Sequence, residues 1–141
     1  MIDFAFQEKN ISKSVLLADD DSEHTMLFND AFSQIAPQTR VDIVENGNQV
    51  IDFLNSSTSL PDMIVMDINM PGKCGIETLK ALKEADDFRT IPVIMFSASK
   101  KPEEVYECYR HNASCVLQKP NDYKGLVEIA QTIDLLMKRF Y

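Results

Sequence analysis

The sequence predicts a doubly wound α/β fold, a five-stranded parallel sheet in the order 2-1-3-4-5 covered by five helices. Three observations carry that prediction. Five short apolar runs recur along the 141 residues, and each is followed by apolar residues at helical spacing. Two of the runs, MIVM from Met63 and VIMF from Val93, are continuously apolar, as strands covered on both faces are. A third, RVDIVEN from Arg40, alternates and suits an edge with one open face.

Taken in order, the first run is Ser14 to Ala18. It leads to a helix beginning near Ser22, on which Met26, Leu27, Ala31, Phe32 and Ile35 share a face. The second, Arg40 to Val44, leads to a helix after Gly47 marked by Val50, Ile51 and Leu54. The third, Met63 to Met66, leads to Ile76, Leu79, Leu82 and Lys83. The fourth, Val93 to Phe96, leads to Val105, Cys108 and Tyr109, with Pro102 suited to a first turn. The fifth, Cys115 to Gln118, leads to the stripe Leu126, Ala130, Ile133, Met137 and Phe140. Strands and helices alternate without repeat or linker, so one flavodoxin-like domain over 13–141 is expected, with right-handed crossovers. Residues 1–12, with Phe4 and Phe6, read as an N-terminal extension.

Composition narrows the function. Apolar residues make up 45% of the chain, enough for a sizeable core, and the net charge is −8 with no basic run. Nucleic acid and anionic membranes are therefore not expected as ligands. No apolar stretch approaches the ~20 residues that span a bilayer. The first residues lack the basic and apolar regions of a signal peptide. Cys74, Cys108 and Cys115 are odd in number and lack the paired spacing of a zinc site, which reads as three reduced thiols in a cytoplasmic protein.

Open parallel sheets bind ligands beyond the carboxyl ends of their strands. The residues that follow the apolar runs are Asp19, Asp20 and Asp21 after the first, Asp67 after the third, Ser97 after the fourth and Lys119-Pro120 after the fifth. The predicted strand order brings Asp19, Asp20, Asp67, Ser97 and Lys119 to one pocket, while Asp21 and Ser22 suit a turn or helix cap. Crowded carboxylates repel, and a cation relieves the repulsion. An all-oxygen donor set favours Mg²⁺ over Zn²⁺. A carboxylate flanked by Mg²⁺, an ammonium and a hydroxyl is arranged to attack phosphorus and to stabilise the transferring group.

These motifs resemble the receiver domain of bacterial two-component response regulators, of the single-domain chemotaxis-regulator type. The resemblance runs over about residues 14 to 140 and rests on Asp19-Asp20, MDINMPGKCG around Asp67, FSA at Ser97 and Lys119-Pro120. It implies a phosphoacceptor at Asp67, charged by a sensor histidine kinase or a histidine phosphotransfer protein. It implies Mg²⁺ on Asp20, Asp67 and the backbone carbonyl of Asn69, with Asp19 acting through water. Ser97 would hydrogen-bond the phosphoryl group and Lys119 would pair with it. Such a chain is not a turnover enzyme on an external substrate. With no residues after the fifth helix for an output domain, its signal is expected to leave by contact with a downstream protein or by onward phosphotransfer.

Two departures stand out. Val116 occupies the strand-five position where many such domains carry a switching Tyr or Phe, so a ring flip there has no ring. Ser97 replaces the commoner Thr and keeps the donor. Tyr106 and Leu135 are expected to be exposed as a candidate partner or homodimer face, whereas Tyr109 is expected to pack. His24 and His111 read as surface histidines. An aspartate-nucleophile phosphatase of the haloacid dehalogenase type would place a second Asp where Asn69 stands, and Asn69 cannot serve as acid or base. A flavin carrier would need a phosphate loop where ADDD would repel phosphate.

Overall fold

The computed structural model describes residues 13–72, 74–99 and 101–139. The extension read at 1–12, with Phe4 and Phe6, lies outside these, as does Phe140 of the last stripe. The elements alternate as β1 (Ser14–Ala18), α1 (Ser22–Ile35), β2 (Arg40–Val44), α2 (Gly47–Ser56), β3 (Met63–Asp67), α3 (Gly75–Glu84), β4 (Val93–Ser97), α4 (Pro102–Arg110), β5 (Cys115–Gln118) and α5 (Tyr123–Arg139). The strands form one parallel sheet in the order β2-β1-β3-β4-β5. Among the described residues no helix is long and apolar enough to cross a membrane.

Strand periodicity divides the core into two layers. Val15, Leu17, Met63, Val65, Ile94 and Phe96 pack with α1 and α5, against residues such as Phe28, Phe32, Leu126 and Ile133. Leu16, Ala18, Ile64, Met66, Val93 and Met95 pack with α2, α3 and α4, against Val50, Leu54, Leu79, Leu82 and Cys108. The three central strands are thus covered on both faces, as their continuous apolar runs require.

β3 and β4 each run one residue beyond the apolar runs, to Asp67 and Ser97. The ladder pairs Asp67 with Phe96 and Ser97 with Gln118. Backbone pairing does not stop where hydrophobicity does, so both polar side chains are mounted on strands rather than on loops.

The face of α1 corrects the sequence reading. Its buried residues are His24, Thr25, Phe28, Ala31 and Phe32, whereas Met26 is 58% exposed. Met26 stands on the opposite side of the helix from Phe28, two residues on. Phe28 contacts Phe32 and Phe96 at centroid distances of 5.1 and 6.2 Å, which fixes the helix rotation. The same rotation buries His24, against the surface position expected for it. Tyr109 also differs. It is 49% exposed, and its hydroxyl accepts a hydrogen bond from the backbone N–H of Val116 at 3.1 Å. At the end of α4, Asn112 takes the left-handed conformation (φ 67°) that closes the helix, and the N–H of Ala113 returns to Cys108 O.

One glycine is dictated by close approach. The N–H of Gly75 donates to Ile68 O at 2.9 Å, and a Cβ on Gly75 would overlap the carbonyl oxygen of Asp67 and sit 2.8 Å from Ile68 Cα. The start of α3 is therefore pressed onto the backbone that carries Asp67. Gly75→Ala should destabilise the fold by about 1–3 kcal/mol, as overpacking against backbone does. Urea denaturation measures this, and a stability equal to wild type would show that α3 can back away without cost.

Candidate functional site

Four strand ends deliver the site. β1 is followed by Asp19 and Asp20, β3 ends on Asp67, β4 ends on Ser97 and β5 is followed by Lys119. Backbone bonds extend the sheet register into these residues. The N–H of Asp19 donates to Val44 O at 3.0 Å, that of Ile68 to Phe96 O at 2.9 Å and that of Lys119 to Ser97 O at 2.9 Å. Asp21 caps α1, its Oδ1 accepting from the N–H groups of Glu23 and His24 at 3.1 and 3.2 Å, as the sequence suggested.

Carboxylate oxygens of Asp19, Asp20 and Asp67 lie within 4.8 Å of one another. Asp20 is exposed, while Asp19 and Asp67 are buried. Lys119 Nζ lies 2.9 Å from Asp67 Oδ2 and 2.9 Å from Asp19 Oδ2. The remaining oxygens take backbone donors: Asp67 Oδ1 accepts from the N–H of Asn69 at 3.2 Å, and Asp19 Oδ1 from that of Asp21 at 3.0 Å. The backbone at Asn69 is thus folded back against Asp67. The Ser97 hydroxyl is buried and donates to the carbonyl of Ser99 in the following loop, not to the carboxylates.

His24 joins this group, which the sequence reading missed. Its Nδ1 lies 2.8 Å from Asp19 Oδ2, and its ring meets the face of Phe96 edge-on at 6.1 Å. The available signal was its spacing. His24 stands four residues before Phe28, on the first turn of a helix whose cap follows the acidic pair. His111, at the end of α4, is half-buried with Nε2 3.4 Å from a Glu107 oxygen.

The two buried carboxylates are pushed in opposite directions. Burial raises the pKa of Asp67 by more than Lys119 and the Asn69 N–H lower it, and the Asp19 charge adds to the rise. Burial acts on Asp19 too, but His24, the Asp21 N–H and Lys119 outweigh it and hold the group below the usual aspartate range. Lys119 is partly buried, which opposes its charge, yet its two carboxylate partners raise its pKa. One ammonium does not balance three carboxylates, and the donors are all hard oxygens. The residues present therefore fit a divalent cation such as Mg²⁺ or Mn²⁺. A cleft of about 370 Å³ opens beside Lys119, between His24 and Leu27 on one side and Ala98 and Pro120 on the other.

The other expected positions fall apart from the pocket. Tyr106 on α4 and Leu135 on α5 are 67% and 56% exposed. Val116 lies on β5 opposite Met95. The three cysteines are free, and burial raises the Cys108 thiol to about 11.

Residues 15–131 match the response regulator receiver domain. Response regulator Rcp1 of Synechocystis sp. is 26% identical over 132 residues, 90% of this chain and 90% of its own length. The Mn²⁺-bound form of Rcp1 superposes with a TM-score of 0.81 at 25% identity, covering 92% of this chain and 96% of that one. The phosphorylated cyanobacterial phytochrome response regulator RcpA superposes with a TM-score of 0.85 at 24% identity, covering 93% of this chain and 97% of that one, a likeness of fold.

The raised pKa of Asp67 has a stability consequence. A carboxyl whose folded pKa lies above its unfolded value, here above 3.8, adds stability below that value and loses it as pH rises through the folded value. At neutral pH without metal, ionised Asp67 therefore costs stability. Asp67→Asn should stabilise the protein in metal-free buffer by on the order of 1 kcal/mol, read as a higher thermal midpoint. Added Mg²⁺ should then raise the wild-type midpoint more than the variant's. A variant melting below wild type without metal would mean that the Lys119 contact outweighs burial.

Proposed function

Because the chain belongs to the response regulator receiver domain family, we propose that it accepts a phosphoryl group on Asp67 from a phosphohistidine of a sensor histidine kinase or histidine phosphotransfer protein in the cytoplasm. The observation that carries this reading is the placement of Asp67 on a buried strand end, 2.9 Å from an ammonium and inside a three-carboxylate cluster. Rcp1, described as Mn²⁺-bound, supports the metal chemistry of this reading.

Asp20 and Asp67 would hold Mg²⁺ directly with the Asn69 carbonyl, and Asp19 would do so through water. When bound, Mg²⁺ supplies positive charge to the carboxylates and to the phosphoryl oxygens. Every other part is the chain's own. β3 fixes the attacking carboxylate, pressed from behind by Gly75. An Asp67 oxygen forms the bond to phosphorus as the bond to the donor's imidazole nitrogen breaks, and the imidazole keeps the electron pair. Lys119 follows the negative charge from Asp67 Oδ2 to a phosphoryl oxygen. The Ser97 hydroxyl turns from Ser99 O to another phosphoryl oxygen, which frees that carbonyl and displaces the loop leading to α4.

Val116 offers no ring to switch, so the backbone of this loop and α4 carry the change. Tyr106 and Leu135 are exposed on the two helices flanking β5 and would take part in contact with a downstream protein or a second copy.

Intact-mass measurement after incubation with acetyl phosphate tests the reading. Wild type should gain one phosphoryl group with Mg²⁺ and none after chelation. Asp67→Asn should gain none, and Asp21→Asn, which alters only the helix cap, should still be labelled. Labelling of Asp67→Asn at another residue with wild-type yield would overturn the assignment.

A further inference from the structure

His24 is a buried imidazole set against the acidic pocket, and packing alone does not account for it. Its side chain is 9% exposed, and neither ring nitrogen makes an aligned hydrogen bond among the described residues. Leu or Phe would fill the space beside Phe28 and Phe96 without burying an unpaired nitrogen. What the imidazole adds is Nδ1, placed 2.8 Å from Asp19 Oδ2. At that distance an unprotonated Nδ1 would set lone pair against lone pair, so Nδ1 carries the hydrogen and meets the carboxylate in a close, off-line charge–dipole contact.

The atom that His24 reaches is the one Lys119 must share. Asp19 Oδ2 has two side-chain neighbours, Lys119 Nζ at 2.9 Å and His24 Nδ1 at 2.8 Å, and the Asp19 side chain is 0% exposed. On the reading above, Lys119 moves its other contact from Asp67 to the arriving phosphoryl group. That shift loosens its hold on Asp19, and a fully buried carboxylate left with one weakened partner would pull it back. We propose that His24 is a positioning residue for phosphoryl transfer: its Nδ1–H holds Asp19 Oδ2 and so releases Lys119 to follow the phosphoryl group. His24 forms and breaks no covalent bond. It reaches Asp19 from α1, whereas Lys119 comes from the end of β5.

The inference rests on Asp67 being the acceptor and is tested in the full chain beside that assignment. An asparagine at position 24 puts an amide N–H near the place of Nδ1, and a glutamine puts it near Nε2. Both are polar and of similar bulk, so a fold defect would affect them alike. With acetyl phosphate and saturating Mg²⁺, His24→Gln should be phosphorylated about tenfold more slowly than wild type, as loss of one close contact to a buried charge implies. His24→Asn should stay within about threefold of wild type. Mg²⁺ affinity, read by titration without phosphodonor, should be unchanged in both. In a Lys119→Ala background, His24→Gln should slow the reaction no further, because the residue to be released is gone. Equal rates for the two variants, or an undiminished effect of His24→Gln in the Lys119→Ala background, would overturn the positioning role while leaving the acceptor assignment intact. An unlabelled wild type, or a labelled Asp67→Asn, would instead overturn the acceptor reading and this inference with it.

Discussion

The ammonium of Lys119 lies at 2.9 Å from carboxylate oxygens on two different strand ends, Asp19 after β1 and Asp67 on β3. Much of the architecture exists to make that bridge. Lys119 follows β5 and must reach past β4 to meet Asp67, which requires the β4–β5 register that the Lys119 N–H to Ser97 O bond extends beyond the strand. The two carboxylates must be level, which the pairing of Ala18 with Met66 provides. The backbone behind Asp67 must not yield, and Gly75 admits α3 close enough to brace it. A sufficient volume of apolar core is not the demanding part; level strand ends bearing opposite charges are.

Environment then separates two chemically identical groups. Asp19 is surrounded by an imidazole, an ammonium and a backbone N–H, and is held ionised. Asp67 has fewer compensating partners and feels the charge of Asp19, so its ionised form is held at higher energy. A carboxylate that is uncomfortable when charged gains most from sharing its charge with an incoming electrophile or cation. The fold thus assigns one aspartate to order the pocket and leaves the other ready to react, without any difference in side-chain chemistry.

Most of this was legible in the sequence. Buried parallel strands write themselves as apolar runs, and the polar residues that end them name the pocket once the strand order is known. MIVMD and VIMFS placed Asp67 and Ser97 in the right company, although the strands proved one residue longer than the runs. The failures share a cause. Met26, Leu27, Ala31, Phe32 and Ile35 gave a helical face that took Met26 as inward and left out Phe28, and the structure turns α1 toward Phe28 instead. That rotation exposes Met26 and carries His24 inside. No spacing rule distinguishes a histidine on the sheet side from one facing water when the stripe is read one position off. Tyr109 was misjudged for a related reason. Helical spacing gave its direction but not that its hydroxyl had a backbone partner to reach across to.

That partner is the N–H of Val116, and β5 is an outer strand of the sheet. An open parallel sheet has two raw edges, and an unpaired N–H on either invites a strand from another molecule. The β2 edge carries an ion pair, Arg40 Nε 3.2 Å from Asp42 Oδ1, beside the exposed Ile43. At the other edge a phenol from α4 plugs the adhesive spot like a stopper. A molecule approaching along α4 and α5 finds that N–H already taken. An α4 that moved clear of β5 would bare this N–H to solvent and to other strands.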